Sequence, residues 1–188
     1  MQYKQHLKTL LILGFTVFFV KATYSQSRSS ISFAYGVNKP YSGDYNFGSG
    51  FNFQGDIAFG DKWAVSSTVG YEHLLSKHRV IYDPSGFAIK RISNIDLIYT
   101  GPSLKYCFNR TLYAKLGAMA YAAGGNEDLS GLGIGGSAEV GGNLDLDAHN
   151  SLRLSLGTDV IDLQSAGNGI TPVASLKLAY AFNFKGIK

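Results

Sequence analysis

From residue 30 to residue 184 apolar side chains recur at every second position, and a chain that alternates this way folds into strands with one greasy and one polar face. Residues 30–37 place Ile31, Phe33, Tyr35 and Val37 on one face and Ser30, Ser32, Ala34 and Gly36 on the other. Phe51, Phe53, Ile57 and Phe59 alternate with Asn52, Gln54, Asp56 and Ala58; Trp63, Val65, Val69 and Tyr71 alternate with Ala64, Ser66, Thr68, Gly70 and Glu72. Ile95, Leu97 and Tyr99 form the apolar side of the next segment, opposite Asn94 and Asp96. After Gly101-Pro102 the phase slips to Leu104, Tyr106 and Phe108, which predicts a β-bulge there. Four more segments follow over 112–121, 132–146, 152–160 and 174–184, with Leu116, Val140, Leu154 and Phe182 among their apolar residues.

Eight strands near the 9–11 residues that a tilted strand needs to cross hydrocarbon suit one antiparallel up-and-down β-barrel, which closes on itself and leaves no edge unpaired. Alternation does not say which face is inside: a lipocalin-like soluble barrel would point its apolar face inward. Three features favour the inverse. The polar face carries Asp56, Glu72, Asp96, Lys105, Lys115, Glu139, Asp145, Arg153, Asp159 and Lys177 among small residues, as a narrow lumen filled with ion pairs would. The connections alternate in length: 60–62, 109–111 and 147–150 are short, while 38–50, 74–91, 124–131 and 162–171 are longer, which puts all the short turns at one end. Aromatic residues gather at strand ends, with Phe59, Trp63, Tyr106 and Phe108 as one girdle and Tyr35, Phe51, Tyr71 and Tyr99 as the other.

The N-terminus fits export. Lys4 and Lys8 precede the apolar run Leu10–Val20, too short for a membrane-spanning helix, and Thr23 and Ser25 suit cleavage before Gln26. The expected organisation is a signal peptide over 1–25 and one barrel domain over 26–188. Three of the 17 basic residues and none of the 13 acidic ones lie in the signal, so the mature chain has a charge near +1 and no basic face for nucleic acid. Cys107 is the only cysteine, which rules out an internal disulfide.

With its leader, its alternating strands and the ending Leu178-Ala-Tyr180-Ala-Phe182-Asn-Phe184, the chain resembles the small outer-membrane β-barrels of the OmpA/OmpX type. The resemblance implies residence in the outer membrane as a monomer among its lipids and lipopolysaccharide. It also implies that Tyr180, Phe182 and Phe184 act as the insertion signal read by the barrel-assembly machinery. In this chain Lys185-Gly-Ile-Lys188 follows the last aromatic, where relatives usually end on it.

No motif adds an obvious chemistry. Gly131-Leu-Gly133-Ile-Gly135-Gly136 has the spacing of a dinucleotide loop, but it opens a strand with no helix after it, so close packing of lumen side chains or a bend in the sixth strand is the expected role. His73 and His78 flank the expected outer rim with Ser76, Asp83 and Ser85 on the same loop; proximity along a loop does not make a triad. No cofactor, metal ligand set or catalytic residue is expected. The leading expectation is a non-enzymatic barrel that contributes to envelope structure and displays loops for adhesion or partner binding. The alternatives are a narrow porin-like channel and a rim enzyme acting on lipid A.

Overall fold

The structure is a computed structural model that describes residues 27–77, 80–91, 94–124, 131–162 and 170–184. The signal segment 1–25, His78, Arg79 and the tail Lys185–Lys188 lie outside the described residues. The barrel strands are β1 (Ser30–Pro40), β2 (Gly48–Phe59), β3 (Trp63–Leu74), β6 (Ile95–Cys107), β7 (Leu112–Gly124), β8 (Gly131–Asp145), β9 (Asn150–Asp162) and β10 (Ile170–Asn183). They close in the order β1-β10-β9-β8-β7-β6-β3-β2, with every neighbouring pair antiparallel. This is the eight-stranded up-and-down barrel that the alternation predicts. Between β3 and β6 the stretch expected as plain loop carries a hairpin, β4 (Val80–Tyr82) with β5 (Ala88–Arg91).

Side chains divide by parity around the barrel. Ile31, Phe33, Phe53, Ile57, Val65, Leu116, Val140, Leu154, Leu178 and Phe182 are exposed on the outside, while Ser32, Gln54, Ser66, Lys115, Arg153 and Ser175 are buried inside. A water-soluble barrel would have the opposite arrangement, because an apolar belt this continuous is stable only against another apolar phase. Cross-strand aromatic contacts reinforce the belt: Phe33 lies 4.9 Å from Phe53 and Phe51 lies 5.5 Å from Tyr71, ring centre to ring centre.

The short turns 60–62, 108–111 and 146–149 share one end with the start of β1 and the end of β10, here the turn end; Ser30 pairs with Asn183 across the closure. Each turn has its own local logic. Gly60 takes a left-handed φ of 74°, which costs glycine nothing. Asn109 Oδ1 accepts from the backbone N–H of Thr111 and Leu112, and Asp147 Oδ1 accepts from those of His149 and Asn150. The hydrogen bond from the Asn150 side chain, with those from the two backbone amides, holds the Asp147 carboxyl below the usual carboxylate range.

β6 departs from expectation. Ile95, Leu97, Tyr99, Ser103, Lys105 and Cys107 are all buried, so parity runs unbroken through Gly101-Pro102 and no bulge forms. Pairing with β7 stops at Thr100↔Ala120 and resumes in the same register at Ser103↔Gly117. Proline has no N–H to donate, so it can leave a gap in one ladder while the strand keeps its phase. Two expectations fall with the bulge: Asp96 points outward rather than into the lumen, and Tyr99 lines the lumen rather than the outer girdle.

Candidate functional site

The lumen is layered. Nearest the turn end, Asp56 is a hub whose side chain is fully buried: Lys105 Nζ and Arg153 NH1 each lie 2.9 Å from Oδ2, and Ser30, Gln54 and Ser66 donate to the same carboxylate. Arg153 also donates to Ser30 Oγ at 2.7 Å. In the middle layer Lys115 reaches Glu139 at 3.1 Å and donates to Gln54 Oε1 at 2.6 Å, while Tyr113 donates to Glu139. Above it Lys177 sits 3.3 Å from Glu72 and 3.7 Å from Asp159. Four carboxylates thus face four cations, and each has an opposite charge in reach, the condition under which burying charge is tolerable. Of the other two charged residues expected in the lumen, Asp145 is exposed at the turn-end mouth, 3.6 Å from Arg28, and Asp96 is on the outside.

Toward the loop end the lumen becomes apolar. Leu74, Ile95, Leu97, Ile161 and Val173 pack with Met119, Tyr99 and Tyr121 into one buried cluster, and Tyr45 from the first loop closes it with 2% of its surface exposed. That loop is tied to its neighbours: Asn46 N–H donates to Leu75 O, Lys77 N–H to Asp44 O, and Tyr41 N–H to Pro172 O. Sequence reading missed this cap because it took Ile95 and Leu97 for lipid-facing residues, and alternation cannot separate an apolar lumen from an apolar exterior.

Little space is left between the layers. A void of about 30 Å³ lies at the turn-end mouth, bordered by Arg28, Lys105, Arg110 and Arg153. Another of about 10 Å³ lies beside Thr68, Ser137 and Lys177, room for roughly one water molecule. Tyrosine rings take up much of the rest by lying over glycines. A Cβ on Gly141 would stand 2.5 Å from the Tyr113 hydroxyl, and one on Gly135 would stand 2.8 Å from the Tyr121 ring. Within the glycine-rich run that opens β8, Gly135 therefore serves close packing.

Outside, the expected girdle residues Trp63 and Tyr106 meet at a tilt with ring centres 4.7 Å apart, with Phe108 edge-on to Tyr106 at 5.2 Å and Phe59 paired to Trp63 at the turn end. Tyr180, Phe182 and Phe184 all face outward from β10 and its end, Phe182 and Phe184 in contact at 5.3 Å. At the loop end a polar group interrupts the apolar exterior: His73 Nδ1 lies 2.6 Å from Asp96 Oδ1, and Tyr71 donates to the same oxygen at 2.5 Å. Ser76, Asp83 and Ser85, singled out with His73, do not join it: Ser76 is buried and its backbone N–H donates to Asn94 Oδ1, and Asp83 caps the hairpin turn by accepting from the Phe87 N–H. No group of histidine, cysteine or carboxylate side chains suited to a metal occurs among the described residues.

Solved structures with this architecture place the fold. Ail, the attachment invasion locus protein of Yersinia pestis, solved with the heparin analogue sucrose octasulfate, superposes with a TM-score of 0.53 at 16% identity, over 85% of this chain and 99% of that one. Neisserial surface protein A gives 0.56 at 14% identity over 84% and 98%, and the outer membrane protein OprG from Pseudomonas aeruginosa 0.55 at 11% over 86% and 99%. The chain has the fold of the small eight-stranded outer-membrane β-barrels. No family model and no curated protein matches it.

Proposed function

We propose that this is a monomeric outer-membrane barrel that carries no solute flux, contributes to envelope structure, and works through the surface it presents outside. The observation that carries this reading is the closed lumen: paired charges fill the lower layers, and the Tyr45–Leu74–Ile95–Leu97–Ile161–Val173 cap covers them. A dry apolar constriction excludes ions because nothing in it replaces their hydration. A narrow channel would need a polar path that this arrangement does not provide.

With the turn end in the periplasm, the longer connections face outward. The β4–β5 hairpin then presents an aromatic tip to the medium, with Phe87 74% and Tyr82 61% exposed. Exposed aromatics on a hydrogen-bonded turn are the kind of anchor that protein and glycan partners use. That Ail, a protein of the same fold, is named for attachment and was solved with a heparin analogue supports a binding role for this chain. Outer-membrane lipids and lipopolysaccharide would surround the belt, and the barrel-assembly machinery would read Tyr180, Phe182 and Phe184 during insertion.

Planar-bilayer recording of the purified, refolded protein tests the closed lumen. The expected trace has no unitary steps. Reproducible steps of one size would replace this reading with the channel.

A further inference from the structure

Across the barrel wall, strand register lines up three residues that are far apart in sequence. Ser49 in β2 pairs with His73 in β3, and His73 pairs with Asp96 in β6. All three stand on the outward parity of their strands, with Phe51, Tyr71 and Ile98 one outward position nearer the belt. Directly opposed side chains on a sheet have Cβ atoms about 4.5–5.5 Å apart, within reach of one another's polar ends. Asp96 holds His73 through Nδ1 at 2.6 Å and is itself held by Tyr71 at 2.5 Å, which leaves Nε2 as the nitrogen to serve a hydroxyl. His73 and Asp96 keep 31% and 36% of their side-chain surface accessible, so a substrate can reach them.

We propose that Ser49, His73 and Asp96 form a serine-hydrolase triad on the outer rim, acting on acyl esters of lipids in the outer leaflet. The order nucleophile, base, orienting acid is what acyl transfer requires. Two residues along a strand rise about 7 Å, so the row stands one step above the aromatic tier of Phe51 and Tyr71, at the depth where fatty chains join their polar heads. Location also gives the row a reason to be there: a histidine–carboxylate pair in the apolar belt would be costly, whereas at the interface it is partly hydrated.

In the proposed reaction Ser49 Oγ attacks the ester carbonyl carbon while its proton passes to His73 Nε2. The carbon–oxygen ester bond breaks, and the leaving alcohol takes that proton. Water, deprotonated by His73, then attacks the acyl-serine and releases the fatty acid and free Ser49. Asp96 remains ionised throughout and fixes the imidazole.

The substrate class rests on the outer-membrane reading; the triad itself does not. The test uses the folded barrel in detergent, its folding verified by the mobility shift on boiling, with p-nitrophenyl octanoate as substrate and a fluorophosphonate as probe. The expected results are ester turnover and one phosphonylated residue, Ser49. Ser49→Ala and His73→Gln abolish both, Asp96→Asn lowers kcat by about 10³–10⁴-fold, and Ser67→Ala, an outward serine elsewhere on β3, changes nothing. Folded protein that neither turns over the ester nor takes the probe overturns the triad, as does turnover that survives Ser49→Ala. If the triad holds while the protein fractionates as soluble, the lipid assignment fails alone.

Discussion

Replacing Asp56 by alanine leaves Lys105 and Arg153 buried side by side with the carboxylate between them gone. Both cations contact Asp56 at 2.9 Å, and the side chains of all three are almost wholly buried. Removing one partner of a buried pair costs about 3–5 kcal/mol, because the charge left behind stays desolvated without compensation. The loss of the Ser30, Gln54 and Ser66 hydrogen bonds pushes Asp56→Ala toward the upper end of that range, about three and a half powers of ten in the folding equilibrium. The assay is reversible unfolding in urea with lipid vesicles, followed by tryptophan fluorescence from Trp63, which sits on the outer face next to Tyr106. Neutralising the orphaned cations should recover stability, so Asp56→Ala combined with Lys105→Met and Arg153→Met should be more stable than Asp56→Ala alone. A loss below about 1 kcal/mol in the single variant, or no recovery in the triple one, would refute the hub as an energetic centre.

Shrinking the apolar cap with Tyr45→Ala, Ile95→Ala and Leu97→Ala together should produce channel steps in planar bilayers where the unmodified protein has none. Gly141→Ala should destabilise the barrel by about 1–3 kcal/mol in the same urea titration, because its methyl group meets the Tyr113 ring and hydroxyl; adding Tyr113→Leu should relieve much of that cost. Phe184→Ala with Phe182→Ala should lower the heat-modifiable fraction recovered from outer membranes while leaving refolding in detergent intact, since these rings face outward and not into the lumen.

Much of the barrel is legible in the sequence because parity is a local property that an apolar exterior and a polar lumen impose along each strand. Strands such as β1 and β10, with Phe33 and Phe182 against Ser32 and Ser175, declare both faces. β6 does not, because at the loop end its inward residues Ile95, Leu97 and Tyr99 are as apolar as its outward ones. The apparent change of phase at Gly101-Pro102 is a change in lumen chemistry from apolar cap to polar hub, with the backbone register intact. The same misphasing put Asp96 in the lumen and hid its meeting with His73. Ser49 was equally out of sight, since its partner is twenty-four residues away and only the register of β2 on β3 brings the two together. The hairpin β4–β5 was missed for a simpler reason: three and four residues per strand are too few to show alternation.

The central claim, a folded barrel seated in the outer membrane with its apolar face outward, is tested most directly by cell fractionation combined with electrophoresis before and after boiling. The expected result is a band in the outer-membrane fraction that resists unfolding in SDS at room temperature and changes mobility on boiling. A soluble band with the same mobility in both lanes would contradict it, and would mean that the exposed faces of Phe33, Ile57, Leu116 and Leu178 meet something other than lipid.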